Sequence, residues 1–247
     1  MAIRIYAHTV VAALTVWSLA VPGTGIAAEK KSEPAVEQKP VNDPLEDVNR
    51  FTSGFNRVVR GVILDPLVDG YQAVTPDFLQ QAVGNAASNL TEPVTAVSSL
   101  LQGDTENAGN ATKRFFVNST LGIGGLNDPA TEMGVAQRRE DLGQAAAVNG
   151  AGDGVYIVLP LLGPSNSRDA IGDALTAVAS PLPLVGAVAQ GGVEYSRKKD
   201  DIQSITRGAL DPYVVERDAY SQYRNFQIRN GVSEPAVGPV LDPKDLQ

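Results

Sequence analysis

Cysteine is absent from the 247 residues, and histidine and tryptophan occur once each, as His8 and Trp17. The chain's own residues therefore cannot assemble Ser-His-Asp or Cys-His catalysis, a His-based metal site or a thiolate zinc site. No disulfide can staple the fold, so stability must come from packing, which a chain of this length supports. Positive charge is also in short supply, with 28 Asp and Glu against 20 Lys and Arg. The clustered basic surface that nucleic acid requires is missing, which excludes nucleic acid as a partner. Beyond the N-terminus, no apolar run reaches the ~18 residues that mark a membrane-spanning helix.

What is present begins with an export signal. Arg4 supplies a charged start, Val10–Val21 an apolar core, and Gly25-Ile26-Ala27-Ala28 a small-residue cleavage zone. Residues 1–28 read as a secretory signal peptide, whose core is shorter than the ~20 residues of a span. Residues 29–41 are charged, bear prolines and lack large apolar side chains, the composition of a flexible tether. No central linker divides the remainder, so one domain over residues 42–231 is expected, followed by a Pro-rich, acidic, disordered tail over 232–247.

The body reads as mainly α, built from short amphipathic helices. Asp43, Pro44 and Glu46 form a capping signature for a first helix. Val48, Phe51, Phe55, Val58 and Val62 line one face of it, with Asn49, Arg50, Asn56, Arg57 and Arg60 on the others. Two meanings stay open: a surface helix packed on a core, or a helix lying in a membrane interface. Asp65-Pro66 should end it. Thr75-Pro76-Asp77 should open a second helix that Glu92-Pro93 breaks, Gly103 stops a third, and Asp104 caps a fourth. Asp128-Pro129 marks a helical turn, and Glu140 to Val148 a small-residue helix ended by Asn149-Gly150. Ser165 or Asn166 caps a helix carrying Ile171, Leu175 and Val178, a long helix is expected over Leu184 to Leu210, and Asp211-Pro212 starts the last one, ended by Asn230-Gly231.

Between these blocks lies Asn118 to Asp169, rich in glycine and containing the apolar run Val155–Leu162 interrupted by Pro160. This is a partly extended, hairpin-like insertion, too apolar for a surface loop and too broken for one helix. Its glycine strings, Gly122-x-Gly124-Gly125 and Gly150-x-Gly152-x-Gly154, follow no strand at nucleotide-loop spacing and lack a Gly-Lys-Ser/Thr. Ser196-x-x-Lys199 sits in a charged run without the partner strings of the hydrolases that use it, and reads as a solvated helix face. The carboxylate pairs Glu140/Asp141 and Asp169/Asp173 offer acid/base chemistry in principle, but read as turn caps and a solvated helix start.

Six strings in order carry a resemblance: NDPLEDVNR (Asn42–Arg50), NLTEPV (Asn89–Val94), RFFVNSTLGIGGLNDPA (Arg114–Ala130), EDLGQ (Glu140–Gln144), YIVLPLLGPSNSRDAIGD (Tyr156–Asp173) and DPYVVERDAY (Asp211–Tyr220). With these the chain resembles the MlaA (VacJ) family, outer-membrane components that keep phospholipid out of the outer leaflet. The resemblance implies a ring-like helical domain on the periplasmic side, in the inner leaflet, with a lipid channel through it. It further implies a non-enzymatic activity without cofactor. The implied partners are glycerophospholipids, a trimeric porin and a soluble periplasmic carrier. The implied channel and gate candidates are Phe51, Phe55, Val58 and Val62 on the first helix, Leu121, Ile123 and Leu126 in the glycine-rich stretch, and Tyr156, Ile157, Val158, Leu159, Leu161 and Leu162. Three features depart from the family pattern: no Cys is present for acylation, Asn149 stands where relatives often carry a large aromatic, and Val155 where they carry Pro. A soluble helical adaptor and a carboxylate-dependent hydrolase are the competing expectations.

Overall fold

A computed structural model describes residues 40–179 and 208–232, together with 191–193, 195, 196, 199, 203, 204 and 206. The expected signal peptide, most of the tether and all but the first residue of the tail lie outside the described residues. So does much of the helix expected over 184–210, although its described members are helical up to residue 206.

Helix α1 (Glu46–Val59) starts two residues later than Asp43 would place it as a cap, and its N-cap, Leu45, makes no side-chain bond. The Asp43 carboxylate is drawn elsewhere, accepting from Asn49 Nδ2 at 2.8 Å and from the Tyr213 hydroxyl. The acids Glu46 and Asp47 in the first turn suit the helix dipole. Asp65-Pro66 does not end the helix as expected. A π-helical turn (Arg60–Leu64), in which the Asp65 N–H reaches Arg60 O five residues back, leads directly into α2 (Asp65–Val74). The wider turn already displaces the i−4 bond that proline cannot make, so Pro66 is accommodated.

Helix α3 (Asp77–Leu101) runs for 25 residues with Pro93 inside it, so the expected break at Glu92-Pro93 is absent. Tertiary packing overrides the local signal: Ala87, Thr95, Ser98 and Ser99 are buried on α3, and Ala108 and Ala111 on α4 (Thr105–Thr120). The two helices make the most extensive contact in the fold. Asp104 caps α4 as expected, accepting from Asn107 N at 2.9 Å.

The glycines after α4 turn the chain back on itself. Gly125 N donates to Asn118 O at 2.8 Å and Asn127 N to Gly122 O at 2.9 Å. A Cβ on Gly122 would lie 2.4 Å from the carbonyl oxygens of both Asn118 and Asn127, so only glycine fits. Gly122→Ala is expected to destabilise the protein by about 1–3 kcal/mol through overpacking. Thermal unfolding in detergent measures it, with Gly109→Ala as a control where a Cβ meets nothing within 4 Å.

The short α5 (Pro129–Glu132) and α6 (Leu142–Val148) follow, capped by Asp128 and Asp141. Strands β1 (Tyr156–Leu159) and β2 (Gly163–Asn166) pair antiparallel, Tyr156 opposite Asn166 and Leu159 opposite Gly163. Leu161 at φ 66° lies in the three-residue turn between them, and Gly163 at φ 92° follows it as the first residue of β2. Helix α7 (Ser167–Ala179) follows at once, with Asn166 Oδ1 accepting from Asp169 N at 2.9 Å. Helix α8 (Pro212–Ile228) is capped by Asp211 and stopped at Asn230-Gly231, where both residues have positive φ. The result is mainly α with one hairpin, as expected.

Candidate functional site

The interior is unusual in what it contains. Apart from alanines, the buried apolar side chains among the described residues are Tyr156, Val158 and Tyr213, with Val41, Val214 and Tyr220 half-buried around them. The rest of the interior is polar: Asn49, Ser53, Asn56, Glu92, Asn107, Arg114, Asn118, Gln144, Asp169 and Arg224 are all buried. The large apolar side chains are outside. Phe51 is 77% exposed, Val62 69% and Leu162 74%. Leu67, Phe78, Phe116, Ile171 and Val178 are exposed on other helices. Soluble monomers rarely expose contiguous apolar patches beyond a few hundred Å².

Helix α1 shows the inversion most clearly. Its face of Val48, Phe51, Phe55 and Val58, continued by Val62 in the π-helical turn, points outward, and Asn49, Ser53 and Asn56 point inward. The reading of this helix as packed on a core through its apolar side is therefore overturned. The two asparagines have a defined task. Asn49 donates to Tyr156 O at 3.0 Å and accepts from Val158 N at 2.8 Å, and Asn56 donates to Leu159 O at 2.9 Å and accepts from Leu161 N at 2.7 Å. Seven residues apart on one helix face, they act as a third strand on the free edge of β1. Every such edge needs covering, above all near lipid, where water cannot satisfy it.

Asn49→Ala removes both bonds and leaves a buried donor and acceptor unpaired, at about 1–3 kcal/mol each. The expected result is a loss of about 2–3 kcal/mol and faster hydrogen exchange at the Val158 N–H, which loses its acceptor, than at the Tyr156 N–H, which stays bonded to Asn42 O. Equal exchange across the molecule would contradict the assignment of Asn49 to the hairpin edge.

Two arginines organise the remaining polar interior. Arg114 donates to Glu92 at 3.0 Å, Thr131 Oγ1 at 3.0 Å, Val135 O at 2.9 Å and Asp128 at 2.8 Å. Burial raises the Glu92 carboxyl above its ordinary value despite Gln137 and Arg114. For Asp128, burial is outweighed by bonds from Thr131, Arg114 and Asn118, and the carboxyl is held low. Arg224 forks twice, onto Asp141 at 2.6 and 2.7 Å and onto Asp169 at 2.7 and 2.9 Å. Its own pKa is raised, burial being overcome by the two carboxylates. Asp169 also accepts from Tyr220, Asn166 and Arg168. This corrects its reading as a solvated helix start.

Burial pushes Asp141 and Asp169 up, but the Arg224 bonds and charge more than reverse it, and both sit below the usual range. Their stabilisation is therefore present above the unfolded carboxylate value of about 3.9 and is lost as pH falls through their lower folded values. The stability gap between the wild type and Arg224→Gln should be wide near neutral pH and narrow below pH of about 4. Denaturant titrations across pH measure this. Ionised and clamped carboxylates are poor general acids.

Of the residues singled out from the sequence, Phe51, Phe55 and Val58 share the exposed face of α1, Val62 is exposed on the π-helical turn that continues it, and Leu161 and Leu162 are exposed at the tip of the hairpin that α1 holds. Tyr156 and Val158 are buried, and Ile157 and Leu159 half-buried. Leu121, Ile123 and Leu126 are exposed in the glycine turn, which docks on α3 through Asn85 and Asn89. Val155 uses its N–H, donating to Ser167 Oγ at 3.1 Å, a bond that proline cannot make. Asn149 donates to Leu101 O at 3.0 Å and ties α6 to α3. Ser196 donates to the backbone of Val193, and Lys199 pairs with Asp69, so neither forms a nucleophile and base. Sequence reasoning missed Asn49, Asn56, Arg114 and Arg224 as structural centres. The seven-residue repeat of asparagine in α1 was the available signal.

Among the described residues no helix is long and apolar enough to cross a membrane. The sequence model of the family described as "MlaA lipoprotein" matches residues 41–227. The chain is similar to the intermembrane phospholipid transport system lipoprotein MlaA of Haemophilus influenzae, 30% identical over 231 residues, 88% of this chain and 90% of that one. The lipoprotein of the same name from Escherichia coli is 30% identical, with coverages of 82% and 85%. An uncharacterized protein of Rickettsia prowazekii is 37% identical, with coverages of 76% and 79%. A solved structure, reported as the structural basis for maintenance of bacterial outer membrane lipid asymmetry, matches with a TM-score of 0.68 and 30% identity. That match covers 76% of this chain and 99% of the other.

Proposed function

Because this chain belongs to the MlaA lipoprotein family, we propose that it removes mislocalised glycerophospholipid from the outer leaflet of the outer membrane and passes it toward a soluble periplasmic carrier, without chemistry on the lipid. It sits in the inner leaflet, on the periplasmic side, beside a trimeric porin. The α1 face and the hairpin form one wall of the lipid passage, and the glycine turn at Leu121–Leu126 another part of it.

The observation that carries this reading is the inverted α1, with its apolar face outward and its asparagines inward on the hairpin. A medium of hydrocarbon makes that orientation favourable, and water does not. Short amphipathic helices lying flat suit one leaflet better than a span. The 247 residues hold no cysteine to acylate, so attachment rests on these faces and on the porin.

The test is fractionation of cells expressing the full chain. We expect sedimentation with outer membranes through a salt wash, release by detergent, and copurification with a porin. Recovery in the soluble periplasm would overturn the proposal.

A further inference from the structure

Where α1 passes into the π-helical turn, a cavity of about 340 Å³ opens, lined by Arg57 from α1, Arg60 and Gly61 from the turn, Asp65 from α2, Tyr195 from the helical residues beyond α7 and Glu216 from α8. Most charges in this fold are paired, and Arg60 is paired with Glu216 at 3.0 Å. Two lining groups are not. Arg57 reaches only the Ser53 hydroxyl, at 3.3 Å, and its buried Nε has no partner. Asp65 accepts from neutral donors alone, the Tyr195 hydroxyl at 2.5 Å and Gln203 Nε2 at 3.0 Å. One cavity therefore carries a guanidinium and a carboxylate, each lacking an ionic partner among the described residues and not bonded to each other. The larger cavity near Arg224, about 470 Å³, offers no such pair, since Arg224 is saturated by Asp141 and Asp169.

Next to Arg57 and Gly61 in sequence, Val58, Val62 and Ile63 are exposed on the outer face. Residues three and four apart share a helix face and immediate neighbours do not. The polar cavity and the apolar stripe thus adjoin on the same turns.

We propose that this cavity is the headgroup seat for a zwitterionic glycerophospholipid. The phosphodiester lies on Arg57, the primary ammonium on Asp65, and the acyl chains run out along Val58, Val62 and Ile63. The proposal rests on the lipid-transport reading above and adds to it a headgroup class and two recognising residues. Arginine suits the phosphate because its fork meets two oxygens at once. The wide turn leaves room, since a Cβ on Gly61 meets nothing within 4 Å.

The test titrates full-length protein in detergent with glycerophosphoethanolamine, glycerophosphoglycerol and inorganic phosphate, read by calorimetry. Wild type should bind glycerophosphoethanolamine best. Arg57→Gln should weaken all three ligands about tenfold or more, the range of a lost charge-assisted bond. Asp65→Asn should weaken only glycerophosphoethanolamine. If Arg57→Gln does not fold, Gly61→Leu, which adds bulk to a lining position where a Cβ meets nothing within 4 Å, must abolish binding in its place. No glycerophosphoethanolamine binding by wild type, or unchanged binding by folded Arg57→Gln or by Gly61→Leu, overturns the seat. Inorganic phosphate bound as well as glycerophosphoethanolamine, with Asp65→Asn silent, reduces it to an anion site and also overturns the proposal. Membrane sedimentation of the same variants keeps the two readings apart: a failed titration with intact sedimentation removes the seat and leaves the transport reading standing.

Discussion

Arg114→Leu should lower stability by about 3–5 kcal/mol, the cost of removing one partner from a buried ion pair. Arg114 is 2% exposed and meets Glu92, Asp128, Thr131 and the Val135 carbonyl, so four acceptors from three parts of the chain lose their donor together. Glu92 on α3 is itself buried, and its carboxyl already binds a proton more readily than usual. Without Arg114 it should take one up on folding, so the folded state binds more protons than the unfolded. The loss should then shrink as pH is lowered from 7 toward about 5. Chemical unfolding in detergent at both pH values measures the effect. A loss below about 1 kcal/mol at pH 7 would mean that the network is ornamental to the α3–α4 packing.

The double variant Phe51→Asp with Phe55→Asp should leave the fold nearly unchanged and abolish membrane partition. Neither ring is buried, Phe51 being 77% exposed and Phe55 47%. In water the substitutions should shift stability by less than about 1 kcal/mol, as exposed positions generally do. In hydrocarbon each forfeits about 1.5–3 kcal/mol of apolar transfer. Each also brings a carboxylate where insertion scales assign about 2.5–3.5 kcal/mol against it. Flotation on phospholipid vesicles, with thermal melting beside it, separates the two. A drop in vesicle binding of at least a hundredfold at constant melting temperature is expected. Unchanged binding would mean that this face meets something other than lipid.

Asp104, Asp128 and Asp211 could be read directly as caps, because a cap is local chemistry and its partner lies two or three residues on. The same locality misled at Pro66 and Pro93. Each proline sits after an acid and looks like a stop, but a π-turn accommodates the first and packing on α4 holds the second. The periodicity of α1 was legible as an amphipathic axis. An axis has no preferred end, and which side faces in depends on a solvent that the sequence does not state. The buried centres were illegible for a different reason. Arg224 and Asp141 are 83 residues apart, and Asn49 and Val158 are 109, so their pairing exists only in three dimensions. Among the residues singled out beforehand, those on α1 and at the hairpin tip share an exposed region, whereas Tyr156 and Val158 belong to the small core.

The outward apolar stripe of α1 has one more consequence. Its members come three and four residues apart, with Asn49, Ser53 and Asn56 between them. Drawn out as a thread, the segment shows no stretch oily enough to be stopped by a secretion channel that sums hydrophobicity along the chain. Coiling gathers the scattered side chains onto one side, so the affinity for lipid proposed above would be created by folding. On the proposed reading, the chain can therefore travel through water as an ordinary polypeptide and become a membrane dweller only on arrival.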